Sequence, residues 1–221
     1  MSQTDEIIER FPALQALRVC QSAFVRRVPG VDVTSDKSQA LIRLEGAHYS
    51  ARRALDMADW PLLTAEQVHG NRVAVIDSAI LGDQHLAGYD GFITNQPRTA
   101  LGVYVADCCA VYIVDPKTPA IGLVHSGKKG TEAQIAPKAI ETMHRHFGSD
   151  PADLVVQLSP CIRPPHYEVD FAAQILRQCQ QTGVNQVYDC GVCTACDLQS
   201  YYSYRAEKGR TGRMLALLGL R

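Results

Sequence analysis

The chain has 221 residues, of which 46% are hydrophobic and 20% charged, and its formal net charge is -1. This is an ordinary globular composition with enough length for one sizeable core, so we expect a single domain over residues 1–221. A net charge near zero gives no overall field that would favour nucleic acid or an anionic membrane surface, which argues against both as partners.

The first ten residues lack the basic start and the apolar stretch of a signal peptide. No segment approaches the roughly 18 consecutive apolar residues of a transmembrane helix. We therefore expect a cytoplasmic protein without membrane contact. Its eight cysteines are expected to be free thiols, because metal binding, catalysis or burial explains cysteine in a reducing compartment better than disulfides do.

Hydrophobic periodicity predicts helices and strands that alternate without a clear linker. Apolar residues at helical spacing predict an amphipathic helix over residues 4–17, disturbed at Pro12, and a second helix over residues 46–57. Apolar β-branched runs predict buried strands over residues 72–77, 101–105, 110–114 and 121–124. A helix over residues 131–147, a strand over 153–158 and a helix over 171–181 follow.

This order of elements lacks the steady βαβ alternation of a doubly wound fold. In addition, no glycine-rich nucleotide-binding motif follows a strand. The sequence therefore predicts an α+β fold, in which helices flank a mixed β-sheet, and gives no support to a dinucleotide enzyme or a P-loop NTPase.

Three short segments each place one metal-binding side chain beside a strand-like run. They are Gln67-Val68-His69-Gly70, Ala106-Asp107-Cys108 and Val124-His125-Ser126-Gly127. A turn signal at residues 115–119 joins two of the strands into a hairpin, which would bring Cys108 and His125 to the same sheet edge. Two imidazoles and a thiolate would hold one Zn²⁺ and leave its fourth position open, as is typical of catalytic zinc. A minor alternative is a hydrolase with Cys108 as nucleophile and His125 as base.

Several motifs resemble those of one known family. They are Asp90-Gly91-Phe92-Ile93-Thr94-Asn95-Gln96-Pro97, Ala106-Asp107-Cys108, Val124-His125-Ser126-Gly127-Lys128-Lys129-Gly130-Thr131, Leu158-Ser159-Pro160-Cys161-Ile162, Tyr167-Glu168-Val169, Cys193-Thr194, Tyr202-Ser203-Tyr204-Arg205 and Thr211-Gly212-Arg213-Met214. In order and spacing, residues 60–214 resemble the YfiH family, also called the polyphenol oxidase or multicopper-laccase-like family.

The resemblance implies a single domain with a zinc site made by His69, Cys108 and His125. It also implies that the protein acts on a purine nucleoside and phosphate. We expect a monomer or homodimer. The implied reactions are phosphorolysis of adenosine, inosine, guanosine or methylthioadenosine, and deamination of adenosine. Zinc held by these ligands would lower the pKa of a water in its fourth position towards roughly 7, for attack on the purine C6 in deamination. In phosphorolysis, phosphate would instead attack the ribose C1′.

Copper is the alternative metal, because a His₂Cys ligand set can hold copper as well as zinc. The older family label therefore leaves a copper-dependent phenol oxidase as a second hypothesis. Multicopper chemistry needs many histidines, typically in His-x-His pairs, and the chain has seven histidines. Its His-x-His pair, His144 and His146, falls in a predicted helix at positions that do not share a helix face. A trinuclear copper cluster is therefore not expected.

Other residues of these motifs are candidates for substrate contact and proton transfer. Asp107 is a candidate to orient a ligand or shuttle a proton, and equally to form a turn. Gln67 and Asn95 are candidates to bind polar edges of the base or sugar, although Asn95 is equally suited to a turn. Lys129 and Arg213 are candidates to bind phosphate or substrate, although an arginine near a C-terminus more often pairs with a surface carboxylate.

Two departures from the family pattern bear on activity. Family members usually read His-Ala-Gly-Trp-Arg-Gly where this chain has His125-Ser126-Gly127-Lys128-Lys129-Gly130. Lys129 keeps a positive charge without the planar fork of arginine, and Lys128 cannot stack on a base as tryptophan does. The first 60 residues keep only the outline of the family pattern. A catalytically altered nucleoside-binding protein is therefore the third hypothesis.

A second cysteine-rich segment, Cys190-Gly191-Val192-Cys193-Thr194-Ala195-Cys196, has the spacing of a zinc knuckle. A ribbon-type zinc site needs four ligands and the chain has no second knuckle, so His166 or Cys161 would have to complete the site across space. The resemblance covers Cys193 and Cys196 but not Cys190, and implies a structural or pocket-lining role for them.

Overall fold

The structure is a computed structural model that describes residues 3–221. Its helices are α1 (Gln3–Ile7), α2 (Pro12–Gln15), α3 (Lys37–Ala54), α4 (Lys128–Glu132), α5 (Ile135–Phe147) and α6 (Phe171–Gln181). Its strands are β1 (Ile8–Glu9), β2 (Cys20–Val25), β3 (Leu62–Ala65), β4 (Val73–Ile76), β5 (Gln84–Leu86), β6 (Gly91–Thr94), β7 (Thr99–Val105), β8 (Cys109–Asp115), β9 (Ala120–Ser126), β10 (Val155–Leu158), β11 (Gln186–Asp189) and β12 (Met214–Leu220).

The strands form two mixed sheets of six strands each. The order in the first sheet is β1-β2-β12-β7-β3-β5, and in the second sheet it is β11-β10-β8-β9-β6-β4. In the first sheet β3 runs parallel to β5 and β7, while β12 runs antiparallel to β2 and β7. In the second sheet the outer pairs, β10 with β11 and β4 with β6, are parallel and the inner pairs are antiparallel. The predicted α+β fold is confirmed, with two mixed sheets in place of the expected one.

The two sheets pack face to face, with helices outside them. Tyr112 of β8 and Phe24 of β2 share the apolar cluster between the sheets. Val111 of β8 belongs instead to a cluster with α5 and α6, and Leu217 of β12 to a cluster with the end of α3. Because both faces are covered, β8, β9 and β12 are buried along their whole length. This explains why these strands are continuous apolar runs rather than alternating ones.

Several predicted elements are confirmed with shifted ends. Residues 171–181 form α6 as predicted, and the five predicted strands are β4, β7, β8, β9 and β10. The helix predicted over residues 46–57 is α3, which begins nine residues earlier, at Lys37. Its start follows Asp36, whose carboxylate accepts hydrogen bonds from the N–H groups of Ser38 and Gln39 and so caps the helix.

Two other predicted helices are each interrupted in the structure, so the prediction of one continuous helix is wrong in both places. In place of one helix over residues 4–17, α1 ends at Ile7, β1 pairs with β2, and α2 begins at Pro12. Proline fits the first turn of a helix but not its interior, which separates the two helices. The helix predicted over residues 131–147 is divided into α4 and α5 at Gln134, which has a left-handed φ of 57°. Within residues 3–221, no helix is long and apolar enough to cross a membrane.

Candidate metal centre

The three predicted ligands meet at one end of the second sheet. One ring nitrogen of His69, one of His125 and the Sγ of Cys108 all lie within 4.8 Å of one another. In the β8–β9 hairpin Ala110 lies opposite His125, so Cys108, just before β8, faces Gly127, just after β9. The predicted approach of Cys108 and His125 is confirmed. His69 joins them from the loop between β3 and β4.

Asp90 organises two of the three ligands, and the sequence interpretation gave it no role in the site. Its side chain is fully buried. Oδ1 accepts a hydrogen bond from the N–H of His69 at 2.8 Å and lies 3.0 Å from Nδ1 of His125, while Oδ2 accepts from the N–H of Gly70 at 2.8 Å. Its carbonyl oxygen also accepts from the N–H of His125 at 2.7 Å. With Nδ1 held by Asp90, His125 keeps Nε2 for a metal, the usual arrangement at a metal-binding histidine.

The charge state of Asp90 suits this role. Burial raises the pKa of the carboxyl, but hydrogen bonds from the His125 ring and the Gly70 N–H outweigh burial and lower the pKa below its usual value. Asp90 is therefore an anion at neutral pH. The sequence signal that could have indicated this role is the position of Asp90 in one of the motifs that resemble the family, immediately before β6.

The loop that carries His69 has an unusual backbone held by side chains. Gln67 and His69 have left-handed φ angles of 63° and 62°, a region that non-glycine residues seldom adopt. Nε2 of Gln67 donates to the carbonyl of Tyr104 at 2.6 Å, and Oε1 accepts from the Tyr104 N–H at 2.9 Å. Gln67 lines the cavity described below, but its amide serves to fasten the loop to β7.

Cys108 fits its place because residue 127 is glycine. A Cβ at position 127 would lie 2.5 Å from Sγ of Cys108, too close for any side chain. Burial raises the pKa of Cys108, but the charge of His125 and hydrogen bonds from both histidines lower it to about 6. Burial lowers the pKa of His125, but the Cys108 thiolate and Asp90 raise it to about 9. Cys108 is therefore a thiolate near neutral pH, which is the form that binds metal.

The donor atoms fit a divalent metal ion. Two imidazoles and one thiolate from three separate chain segments converge within 4.8 Å, and this is the ligand set of a zinc site with one open position. The same atoms would suit copper.

The three side chains open into a cavity of about 500 Å³, a size suited to a small molecule. Five cationic residues line it: Lys37, Lys128, Lys129, Arg205 and Arg213. Four aromatic residues also line it: Tyr104, Tyr167, Phe171 and Tyr204. One acidic residue, Asp107, completes the charged lining. The cavity thus suits a ligand that combines a flat ring system with an anionic group.

Asp107 both forms a turn and faces the cavity. Its φ of 81° is left-handed, and its carboxylate accepts hydrogen bonds from Oγ1 of Thr194 at 2.8 Å and the N–H of Arg205 at 2.7 Å. Lys129 lies in α4 and Arg213 just before β12, and both line the cavity as well. Nη1 of Arg213 donates to the carbonyls of Thr211 and Gly212. These backbone carbonyls, in place of the expected surface carboxylate, position the guanidinium group.

Asn95 is the one predicted site residue that lies elsewhere. In the β6–β9 pair Gly91 lies opposite Val124, next to His125, whereas Thr94 lies opposite Ile121. Because β6 runs away from the predicted metal ligands, Asn95 is exposed beyond the opposite end of the strand, where its Oδ1 accepts from Nε2 of Gln96. Its predicted contact with substrate does not occur in this cavity.

Sequence comparisons agree with the resemblance to the YfiH family. The family model described as multi-copper polyphenol oxidoreductase laccase matches residues 34–174 and 169–221. A purine nucleoside phosphorylase of Corynebacterium glutamicum is 30% identical over 181 residues, which cover 70% of this chain and 72% of that protein. Purine nucleoside phosphorylase YlmD of Bacillus subtilis is 27% identical over 203 residues, 75% of this chain and 72% of that protein.

Two solved structures have the same fold. YlmD from Geobacillus stearothermophilus superposes with a TM-score of 0.79 at 20% identity, covering 97% of this chain and 99% of that one. The Bacillus licheniformis protein YfiH superposes with a TM-score of 0.73 at 22% identity, covering 91% of this chain and 93% of that one. At these identities the likeness establishes the fold alone.

Proposed function

This chain belongs to the multi-copper polyphenol oxidoreductase laccase family, and we propose that it is a zinc-dependent purine nucleoside phosphorylase that also deaminates adenosine. The observation that carries the proposal is the convergence of a His₂Cys ligand set with a cationic and aromatic lining in one cavity. The names of the relatives in Corynebacterium glutamicum and Bacillus subtilis support the same class of reaction.

The lining supports a nucleoside and phosphate as the pair of substrates. Adenosine, inosine, guanosine and methylthioadenosine all present a flat purine, which the aromatic rings of Tyr104, Phe171 or Tyr204 can stack on or flank. Phosphate needs positive charge. Burial, and then the nearby charge of Arg213, lower the pKa of Lys37, so an anion bound between Lys37 and Arg213 would relieve their mutual repulsion.

His69, Cys108 and His125 would hold the zinc ion, with Asp90 fixing His125 and the His69 loop. When bound, the ion supplies a Lewis acid at the edge of the cavity. In phosphorolysis a phosphate oxygen forms a bond to the ribose C1′ as the bond from C1′ to the purine nitrogen breaks, and the purine takes the electron pair and a proton. Asp107 retains free lone pairs beside the cavity, and we assign it the transfer of a proton during turnover.

Lys128 and Lys129 keep the positive charge of the family's arginine but not its shape. Lys128 is half-buried and Lys129 exposed, and both line the cavity from the start of α4. Two ammonium groups can attract phosphate as point charges, although neither can form a two-pronged contact with it. We therefore propose that the site remains catalytic and that phosphate is held more weakly than by arginine.

A copper-dependent phenol oxidase is the second candidate, favoured by the donor set, which copper also accepts. Among residues 3–221 the groups of three or more potential ligands do not include His144 or His146. The described residues therefore contain no second cluster of histidines that could hold the further copper ions of a multicopper oxidase. The nucleoside enzyme is the better supported function.

A product assay on protein of known metal content tests the proposal. Adenosine is incubated with and without phosphate, and adenine, inosine and ribose 1-phosphate are measured by chromatography. We expect phosphate-dependent adenine, together with inosine, and we expect both to be lost on chelation and restored by zinc. His125→Ala should abolish both products. His144→Ala is the matched control, because His144 lies in α5 and contacts the carbonyl of Ser149 instead.

The other hypotheses give different results in the same protein. Oxygen uptake with a phenol that scales with copper content would identify an oxidase. Stabilisation by adenosine without any product would identify a nucleoside-binding protein.

A further inference from the structure

A second group of metal-binding side chains lies outside the cavity. A ring nitrogen of His166 and the Sγ atoms of Cys193 and Cys196 lie within 4.8 Å of one another. Nδ1 of His166 is 3.8 Å from Sγ of Cys193 and 3.6 Å from Sγ of Cys196. His166 and Cys196 are exposed and Cys193 is half-buried, so an ion can reach all three from solvent.

We propose that His166, Cys193 and Cys196 form a second zinc site, separate from the centre in the cavity and open to solvent at its fourth position. Tetrahedral zinc with bonds of about 2.3 Å to sulfur and about 2.0 Å to nitrogen places neighbouring sulfur and nitrogen ligands about 3.6 Å apart. The two N···S distances agree with that value. Cys193 and Cys196 are separated by two residues, as in a zinc knuckle. The N–H of Cys196 donates to the carbonyl of Cys193 at 3.1 Å, which closes the turn between them.

The ligand set differs from the full cysteine run. Cys190 is not a member of the group, although its spacing made it a candidate. Cys161 pairs with Cys193 through the backbone, but its thiol is fully buried and contacts that of Cys109. Of His166 and Cys161, His166 is therefore the residue that joins Cys193 and Cys196, which gives the site three protein ligands.

The position of the site gives it a structural role beside the cavity. Tyr167, next to His166, lines the cavity and packs edge-on against Phe171 with ring centroids 5.8 Å apart. Thr194, between the two cysteines, donates to the carboxylate of Asp107 at 2.8 Å. An ion bound by His166, Cys193 and Cys196 links these two segments. It thereby holds the wall that carries Tyr167 and Asp107, without contacting substrate.

Zinc counting in paired variants tests this site. The full chain, isolated with a phosphine reductant, is incubated with excess zinc, passed over a weak chelating resin and analysed for metal per chain. Cys196→Ser should hold one zinc fewer than Cys190→Ser, the matched control from the same run, whatever the first centre holds. His166→Gln should show the same loss without altering a cysteine.

Cobalt gives an independent readout. In Cys108→Ser the first centre has no thiolate, so sulfur-to-cobalt charge-transfer absorption would come from Cys193 and Cys196. We expect this absorption in Cys108→Ser and its loss when Cys196→Ser is added. Equal zinc contents in Cys190→Ser and Cys196→Ser would overturn the proposal. A Cys193–Cys196 disulfide in the protein isolated with reductant would overturn it as well.

Discussion

Asp90→Asn tests how the proposed metal centre is built, because one buried carboxylate holds two of its proposed ligands. The carboxylate accepts from the N–H groups of His69 and Gly70 and contacts Nδ1 of His125. The asparagine side chain has one oxygen and one NH₂ group, so in either orientation at least one of these donors faces another donor. The substitution keeps the shape of the side chain and removes its charge and half of its acceptors.

Two magnitudes describe the effect, one on stability and one on metal affinity. Leaving one buried donor unpaired costs about 1–3 kcal/mol of folding stability. Replacing a group that orients a metal ligand lowers metal affinity about 10–100-fold, or about 1.4–2.8 kcal/mol. Asp90 is fully buried, so solvent does not screen the loss. We therefore expect zinc affinity, measured by competition with a chromophoric chelator, to fall about 10–100-fold.

Asp115→Asn is the matched control. Asp115 is also buried, and its Oδ1 accepts from the N–H groups of Lys117 and Thr118 in the turn at the other end of the β8–β9 hairpin. This variant should keep the zinc affinity of the parent, because the asparagine oxygen can still accept from both N–H groups. Parental zinc affinity in Asp90→Asn, or an equal fall in Asp115→Asn, would refute the role given to Asp90.

Three further predictions follow from single residues. Gly127→Ala places a methyl group 2.5 Å from Sγ of Cys108 and should weaken zinc binding. Its control, Gly46→Ala, meets open space in α3 and should only stabilise the helix, by about 1 kcal/mol. Equal zinc affinities in the two variants would contradict this prediction. Burial lowers the pKa of His48 from 6.5 to about 4, so between pH 6.5 and pH 4 the unfolded chain binds more protons than the folded chain. The contribution of the neutral His48 ring to the free energy of unfolding is therefore complete above pH 6.5, and up to about 3 kcal/mol of it is lost as the pH falls to 4. His48→Leu should flatten the pH dependence of the unfolding free energy from 6.5 to 4, and an unchanged slope would exclude His48 as its source. Arg213→Met should raise KM for phosphate more than KM for adenosine in initial-rate assays, and the opposite order would move phosphate away from Arg213.

The hairpin and the residues that converge at its end were accessible from the sequence because both depend on local signals. β8 and β9 are apolar runs joined by a turn that begins at Asp115, and strand pairing then fixes where Cys108 and His125 lie. The proposed metal ligands His69, Cys108 and His125 also have side chains whose chemistry is informative by itself.

The two-sheet architecture was not accessible in the same way. β12 lies at the centre of the first sheet, between β2 and β7, yet its partners are far away along the chain. A strand buried on both faces shows no alternation that would indicate which sheet it joins. The sequence pattern therefore indicated strands without their division into two sheets.

The role of Asp90 was hidden for a different reason. Two of its partners are backbone N–H groups, of His69 and Gly70, in a loop with left-handed residues. Backbone donors leave no mark in the residue types of a single sequence. Asn95 shows the converse, because its residue type suits a substrate contact but the direction of β6 takes it away from the cavity.

The most direct test of the proposed function is the stoichiometry of products from adenosine and phosphate with zinc-loaded protein. We expect ribose 1-phosphate to equal the sum of the purine bases released, adenine from adenosine and hypoxanthine from inosine, to depend on phosphate, and to be lost in His125→Ala. A protein that holds zinc through His69, Cys108 and His125 yet forms neither adenine nor inosine would contradict the proposal that this centre transforms purine nucleosides.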